Sequence, residues 1–437
     1  MRLKLVTEST RQVILPYGNT FAEADIPDGR ELGTLEVRDV PAIPNLPGAM
    51  KSAIENPIGL EQNIFKIAQP GETVAIIVSD ATRKTHVDDI LPCLLDGLTG
   101  SGVRDEDVSF VFATGTHRAV TDDEQAAVLG RDVYERFKAQ LFNHDAHDPS
   151  SHTYIGTTSR GTRVEINSKV HEADRIIATG AAVLHYFGGY GGGRKSVVPG
   201  VASVDTIANN HAMNLDPDSD RINPAVRIGG LDGNPVAEDL LEATKLTHVD
   251  YVINTVMNRN GEIAGIFAGD LDAAFEAARL FAHELFAVDI LEQADVVIAA
   301  SASTQNFVQT HKALFNSYQA VKPDGRIVLI TPCAEGLGGE QFAKWLRLGN
   351  TSAIIAGLRE QSEINGQTAL STVQKAPITL MVTDLVEDDV AMLGARKVST
   401  LQGAIDTAFD EVGHDGAGTP TYYVMPSAAY TVPFLPD

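Results

Sequence analysis

The chain runs to 437 residues with a formal net charge of -24 at pH 7, long enough for two domains with separate cores and too acidic to favour nucleic acid or an anionic membrane. Its cysteines, Cys93 and Cys333, form no CxxC pair, which argues against a disulfide framework and a thiolate zinc site. An anionic substrate has to meet cations gathered at one site, because the protein as a whole repels it.

The amino terminus, MRLKLVTEST, lacks a signal-peptide apolar core, and no apolar run is long enough to span a bilayer. A soluble cytoplasmic protein is expected. Beyond it, short β-branched runs alternate with helical patterns, which predicts α/β layers around largely parallel sheets. Residues 74–80 (VAIIVSD) read as a buried strand, 87–98 as a helix and 108–114 as the next strand. Polar residues follow each strand, and in such sheets the loops at strand C-terminal ends carry ligands. After the first come Asp80, Thr82 and Arg83. An arginine there grips a carboxylate or phosphate through two parallel hydrogen bonds, although an Asp–Arg pair that only fixes the loop has the same pattern. After the second comes Thr114-Gly-Thr-His117-Arg118, which sets an acid or base at the mouth of the sheet.

A strand over 175–180 leads into the most informative segment, His185-Tyr-Phe-Gly-Gly-Tyr-Gly191-Gly192-Gly193-Arg194-Lys195-Ser196, followed by a helix capped by Ser203 and reaching His211. Glycines let backbone approach a ligand and expose N–H groups to an anion. Imidazoles bind metals or move protons, and a lysine in a desolvated loop acts as a nucleophile. The segment is neither a Walker A loop, since Arg194 precedes the lysine, nor a dinucleotide fingerprint, since its third glycine is missing. A cofactor site and a glycine-rich surface loop both remain open at this point. His185 and His117 would face one cleft, the arrangement needed to invert a carbon centre. By contrast, 143–148 (NHDAHD) has no regular ligand spacing and reads as a turn.

A second domain is expected from residue 271, with 1–270 forming the first. Residues 271–286 read as a helix, 295–301 as a strand, 307–321 as a helix, 322–325 as a turn and 326–331 as a strand. Two helices, 339–348 and 351–361, precede a strand at 378–383. Gln309 and Lys312 lie three apart, on one face of the 307–321 helix. A cleft between the two α/β domains is the expected ligand site, and the proline-bearing tail after Gly416 is a candidate to fold back on the first domain.

Taken together, SDATRKTH, ATGTHR, LHYFGGYGGGRKSVVPG, NNH and QTHK resemble the lactate racemase family in motif order over nearly the whole chain. The resemblance implies an isomerase, a racemase or epimerase of 2-hydroxy acids, that uses a nickel pincer nucleotide (pyridinium-3,5-bisthiocarboxylic acid mononucleotide with nickel) supplied by maturation proteins. It implies covalent attachment at Lys195, nickel ligation by His211, acid/base roles for His117 and His185, and substrate carboxylate contacts from Arg83 and Lys312 with Gln309 beside them. Asp80 and Thr82 would lie near the cofactor, and Gly191, Gly192 and Gly193 would let backbone approach the nucleotide. Reversible hydride transfer through a 2-keto acid is the implied mechanism. It does not fix the substrate, and Arg118, Lys84 and Arg194 are candidates to receive a second carboxylate. Two other readings use the same residues: a non-catalytic nucleotide- or anion-binding protein, and a zinc hydrolase built on His117, His185 and His211.

Overall fold

The computed structural model describes residues 11–301, 304–413 and 418–436. The MRLKLVTEST stretch and the start of the tail at Gly416 lie outside the described residues. The chain forms two compact units: Asp39–Leu285, and the residues up to Arg38 together with those from Phe286 on. This differs from a division at 270/271. The helix Leu271–Phe286 belongs almost wholly with the 39–285 unit, where Ala274 enters the core, and the strand Arg30–Thr34 pairs with Thr421–Met425 in the other, split unit. Pairing between distant segments leaves no local mark in the sequence.

In the 39–285 unit a six-stranded sheet runs in the order Ile263–Gly269, Tyr251–Met257, Arg175–Ala181, Val74–Ser79, Val108–Ala113, Leu141–Asn143. All neighbours are parallel except the first pair. Val74–Ser79 is buried along its whole length, as expected for a strand covered on both faces. Its side chains alternate between layers. Ile76 and Val78 pack with Phe110, Phe112 and the helix residues Ile90, Leu91 and Leu94, while Ile77 packs with Val111, Ala178, Val252 and Val197. Each such aliphatic side chain contributes roughly 1.5–3 kcal/mol by leaving water.

The split unit holds a second six-stranded sheet, entirely parallel, in the order Arg396–Lys397, Thr379–Val382, Val321–Ile330, Ala294–Ala300, Thr421–Met425, Arg30–Thr34. The described tail is built into this unit: Thr421–Met425 sits inside the sheet, paired on one side with Arg30–Thr34 from the expected first domain, and Val432–Phe434 pairs with Ala287–Asp289. Residues 322–325, expected as a turn, are part of the strand Val321–Ile330, with Lys322 anchored to Asp295 at 2.8 Å. A helix at Ile364–Lys375 has no counterpart among the expected elements. Among the described residues no helix is long and apolar enough to cross a membrane.

Candidate active site

Val74–Ser79 lies between Arg175–Ala181 and Val108–Ala113, all three parallel, so the loops that follow them leave one edge of the sheet side by side. Connections diverge from this centre, the first running to Val108–Ala113 on one side while the later strands build outward on the other. Ligands settle at such divergence points in open α/β sheets.

Asp80, 3 % exposed, ends the central strand. Its Oδ1 accepts the Thr82 backbone N–H at 2.9 Å and the Thr82 hydroxyl at 2.6 Å, and its Oδ2 lies 2.6 Å from His117 Nδ1. Burial works to raise the Asp80 carboxyl, but the hydrogen bonds from His117 and Thr82 and the charges of His117 and Arg83 hold it below the ordinary carboxylate value. His117 itself is 41 % exposed at the side chain, with its Nε2 unbonded. Asp80 and Thr82, expected at the cofactor, thus spend their side chains on His117 and on each other. Arg83 is exposed, and its guanidinium has no hydrogen-bond or ion-pair partner among the described residues, which leaves it available to an anion.

The glycine segment is packed, not open. Gly191 N–H donates to the Val183 carbonyl at 2.7 Å and Gly193 N–H to Asn254 Oδ1 at 2.7 Å. The Gly191 and Gly193 N–H groups are therefore taken within the chain. Glycine is required here for close approach: a Cβ on Gly193 would lie 2.3 Å from Val252 Cγ2, and Gly192 sits at φ +127, where Cβ-bearing residues are strained. The result is a short helix, Gly193–Val197, pressed against the sheet, with Lys195 half-buried between buried neighbours.

Phe187, 2 % exposed, gathers three of the candidate residues. Its ring centre lies 4.5 Å from that of His185, 4.9 Å from that of His211 and 5.3 Å from Lys195 Nζ. His185 Nδ1 accepts the Gly188 N–H at 3.1 Å. His211, on the helix Val204–Ala212 capped by Ser203 as expected, is 3 % exposed; burial and then the Lys195 charge push its pKa down to about 3, so the imidazole is neutral at any ordinary pH. Beside it, Asn210 donates to Asp239 at 2.9 Å, and this fully buried carboxylate also receives the Thr158 and Thr162 hydroxyls at 2.6 and 2.9 Å.

Arg194 is 2 % exposed and stacked 3.9 Å from the Phe275 ring centre, and burial pushes its pKa down to about 10. Among the described residues its Nε and Nη2 have no hydrogen-bond acceptor, nor has Asn254 Nδ2. Arg118 is taken by a two-pronged contact with Glu124 at 2.7 and 2.5 Å, so it is not open to a second substrate carboxylate. Gln309 and Lys312 are exposed on the helix Phe307–Ala320 of the split unit. The polar 143–148 stretch is a turn: Asp145 accepts the His147 N–H, and His144 is buried against the Ala202 carbonyl at 2.9 Å. Phe187, Asn254 and the Asp239–Asn210 pair escaped sequence reasoning. Of these, Phe187, inside the His185–Lys195 motif, and Asn210, inside NNH, carried a local signal.

Two family models match, the lactate racemase N-terminal domain over residues 17–222 and the lactate racemase C-terminal domain over residues 290–420. The lactate racemase of Thermoanaerobacterium thermosaccharolyticum is 33 % identical over 338 residues, 76 % of this chain and 77 % of that protein. This chain belongs to the lactate racemase family. A second lactate racemase, from Lactiplantibacillus plantarum, is 31 % identical over 334 residues, 75 % of this chain and 76 % of the relative. The solved lactate racemase apoprotein of T. thermosaccharolyticum superposes with a TM-score of 0.85 at 29 % identity, covering 97 % of this chain and 100 % of that one. A Thermotoga maritima protein at 16 % identity and TM-score 0.63 shares the fold. As a member of this family the protein is an isomerase, a racemase, and the non-catalytic and hydrolase readings fall away. The zinc reading also fails on geometry, since among the described residues His117, His185 and His211 do not gather as a three-ligand group.

Proposed function

We propose that the protein racemises or epimerises a 2-hydroxy acid with a nickel pincer nucleotide, lactate being the first candidate because both relatives carry it in their names. The observation that carries this reading is the grouping of the Lys195 amine and the neutral, buried His211 around Phe187. The residues present fit such a group. A neutral imidazole is the form that ligates nickel, and the amine beside it is the nucleophile for a covalent link. Arg194 and Asn254 hold buried donors that the described residues leave unsatisfied, which is unusual in a native interior and suits an anionic nucleotide. Gly191, Gly192 and Gly193 serve by letting the Lys195 helix lie close to the sheet.

Bound, the cofactor supplies a reversible hydride acceptor, so that the hydroxy acid passes through a 2-keto acid without the unfavourable carbanion beside a carboxylate. The protein then has to move the hydroxyl proton and hold the carboxylate. His117 Nε2 and His185 take and return that proton on opposite faces. Arg83, Lys312 and Gln309 bind the carboxylate, Arg83 with the two-pronged geometry that lysine lacks. Division of labour between cofactor chemistry and protein positioning is general. Loading requires maturation proteins and a cytoplasmic setting.

The test is conversion of a single lactate enantiomer by protein co-produced with maturation proteins, followed by chiral chromatography. Approach to an equal mixture, abolished in His117→Ala, is expected. No interconversion of lactate or of a panel of 2-hydroxy and sugar acids, in a host that yields an active control racemase, would contradict it.

A further inference from the structure

The two imidazoles are held differently. Asp80 Oδ1 is saturated by the Thr82 N–H and hydroxyl, which fixes the carboxylate so that Oδ2 faces His117 Nδ1 at 2.6 Å. An ionised carboxylate only accepts, so Nδ1 carries a proton, and in the neutral ring the exposed Nε2 keeps its lone pair. At His185 the polarity is reversed: the Gly188 N–H points at Nδ1, so the neutral ring carries its proton on Nε2.

Resting on the acid/base reading above, we propose that Asp80 is a positioning residue that locks His117 as the Nδ1–H tautomer, making His117 the resting base, while Gly188 holds His185 as the opposite tautomer. A hydroxyl proton can leave only to a nitrogen with a free lone pair: in the resting chain His117 Nε2 offers it, and His185 takes the proton of the opposite enantiomer only once its own proton has moved to Nδ1, releasing the Gly188 contact. Thr82 makes the lock sensitive to a single atom. In Asp80→Asn the amide oxygen is drawn to the Thr82 donors, which turns the amide NH2 towards His117 Nδ1. That donor pushes the ring proton onto Nε2 and removes the base without changing the shape of the site. In a hydrolase where a carboxylate orients an imidazole in the same way, the equivalent change lowers turnover by a factor on the order of 10⁴ through the wrong tautomer.

The experiment has two readouts. In the full-length chain without cofactor, imidazole ¹⁵N spectra, assigned by His117→Gln and His185→Gln, report the tautomers directly. His117 is expected as Nδ1–H and His185 as Nε2–H, with His117 switching to Nε2–H in Asp80→Asn. In matured enzyme, turnover of Asp80→Asn is expected to fall by a factor on the order of 10³–10⁴, to a level no better than Asp80→Ala. A purely structural Asp80 gives the reverse order, because asparagine preserves packing and alanine does not. The proposal is overturned if His117 rests as Nε2–H, if His185 rests as Nδ1–H, if Asp80→Asn leaves the His117 tautomer unchanged, or if it outperforms Asp80→Ala. If the wild-type protein fails to racemise any hydroxy acid, the functional reading fails, while the spectra still decide the tautomers.

Discussion

Replacing Phe187 with alanine tests whether one ring organises the site. The side chain is 2 % exposed, and emptying a buried phenylalanine position costs about 3–5 kcal/mol. Its edge-on contacts with His185, Tyr186 and His211 add to burial by roughly 0.5–1.5 kcal/mol per aromatic pair, which places the loss toward the upper end of that range. Against a domain stability of about 5–15 kcal/mol this is large but survivable, and Phe187→Leu, which refills most of the space, is expected to cost under about 2 kcal/mol. Native-state amide exchange at the central strand Val74–Ser79 measures the opening free energy of this unit. Turnover in matured protein is expected to fall further than stability, by about 100-fold in the leucine variant, because a shift of about 1 Å in reacting groups has that effect. An alanine variant within about 1 kcal/mol of wild type would refute the packing argument, and full turnover in both variants would refute the organising role.

Acid should weaken the fold through His144. Burial, with His152 adding to it, pushes its pKa down from 6.5 to about 4, while the Ala202 carbonyl and Asp145 oppose. A depressed folded value means the contribution is complete above pH 6.5 and is lost as pH falls towards 4, by roughly 3 kcal/mol in all; urea midpoints across that window should flatten in His144→Gln. Asp239→Ala strands the Thr158, Thr162 and Asn210 donors and is expected to cost about 2–4 kcal/mol in denaturant unfolding. Gly193→Ala drives a methyl into Val252 and should cost about 1–3 kcal/mol. Combining it with Val252→Ala should recover part of that loss, and strict additivity of the two changes would argue against direct contact.

Much of the architecture is legible in the chain because the central strands are short β-branched runs such as VAIIVS, bounded by polar loops, and because Ser203 caps its helix as the spacing indicates. The mouth of the sheet is legible for the same reason: Asp80 and His117 each follow a strand. What the sequence hides is pairing at a distance. Nothing near Arg30 announces that it joins Thr421–Met425, so a contiguous domain boundary misassigns the amino-terminal segment. Side-chain partnerships are hidden likewise. Asp80 and Thr82 read as ligand contacts until the hydrogen bonds show Asp80 directed at His117 and Thr82 at Asp80, and the glycine run reads as an anion loop until Val183 and Asn254 are seen to take the Gly191 and Gly193 N–H groups.

The most direct test of the central claim is intact-mass analysis with peptide mapping and metal analysis, on protein produced alongside pincer-nucleotide maturation proteins. A nickel-bearing adduct on Lys195, with nickel retention lost in His211→Ala, is the expected result. An unmodified Lys195, in a host that loads a control racemase, would contradict the account.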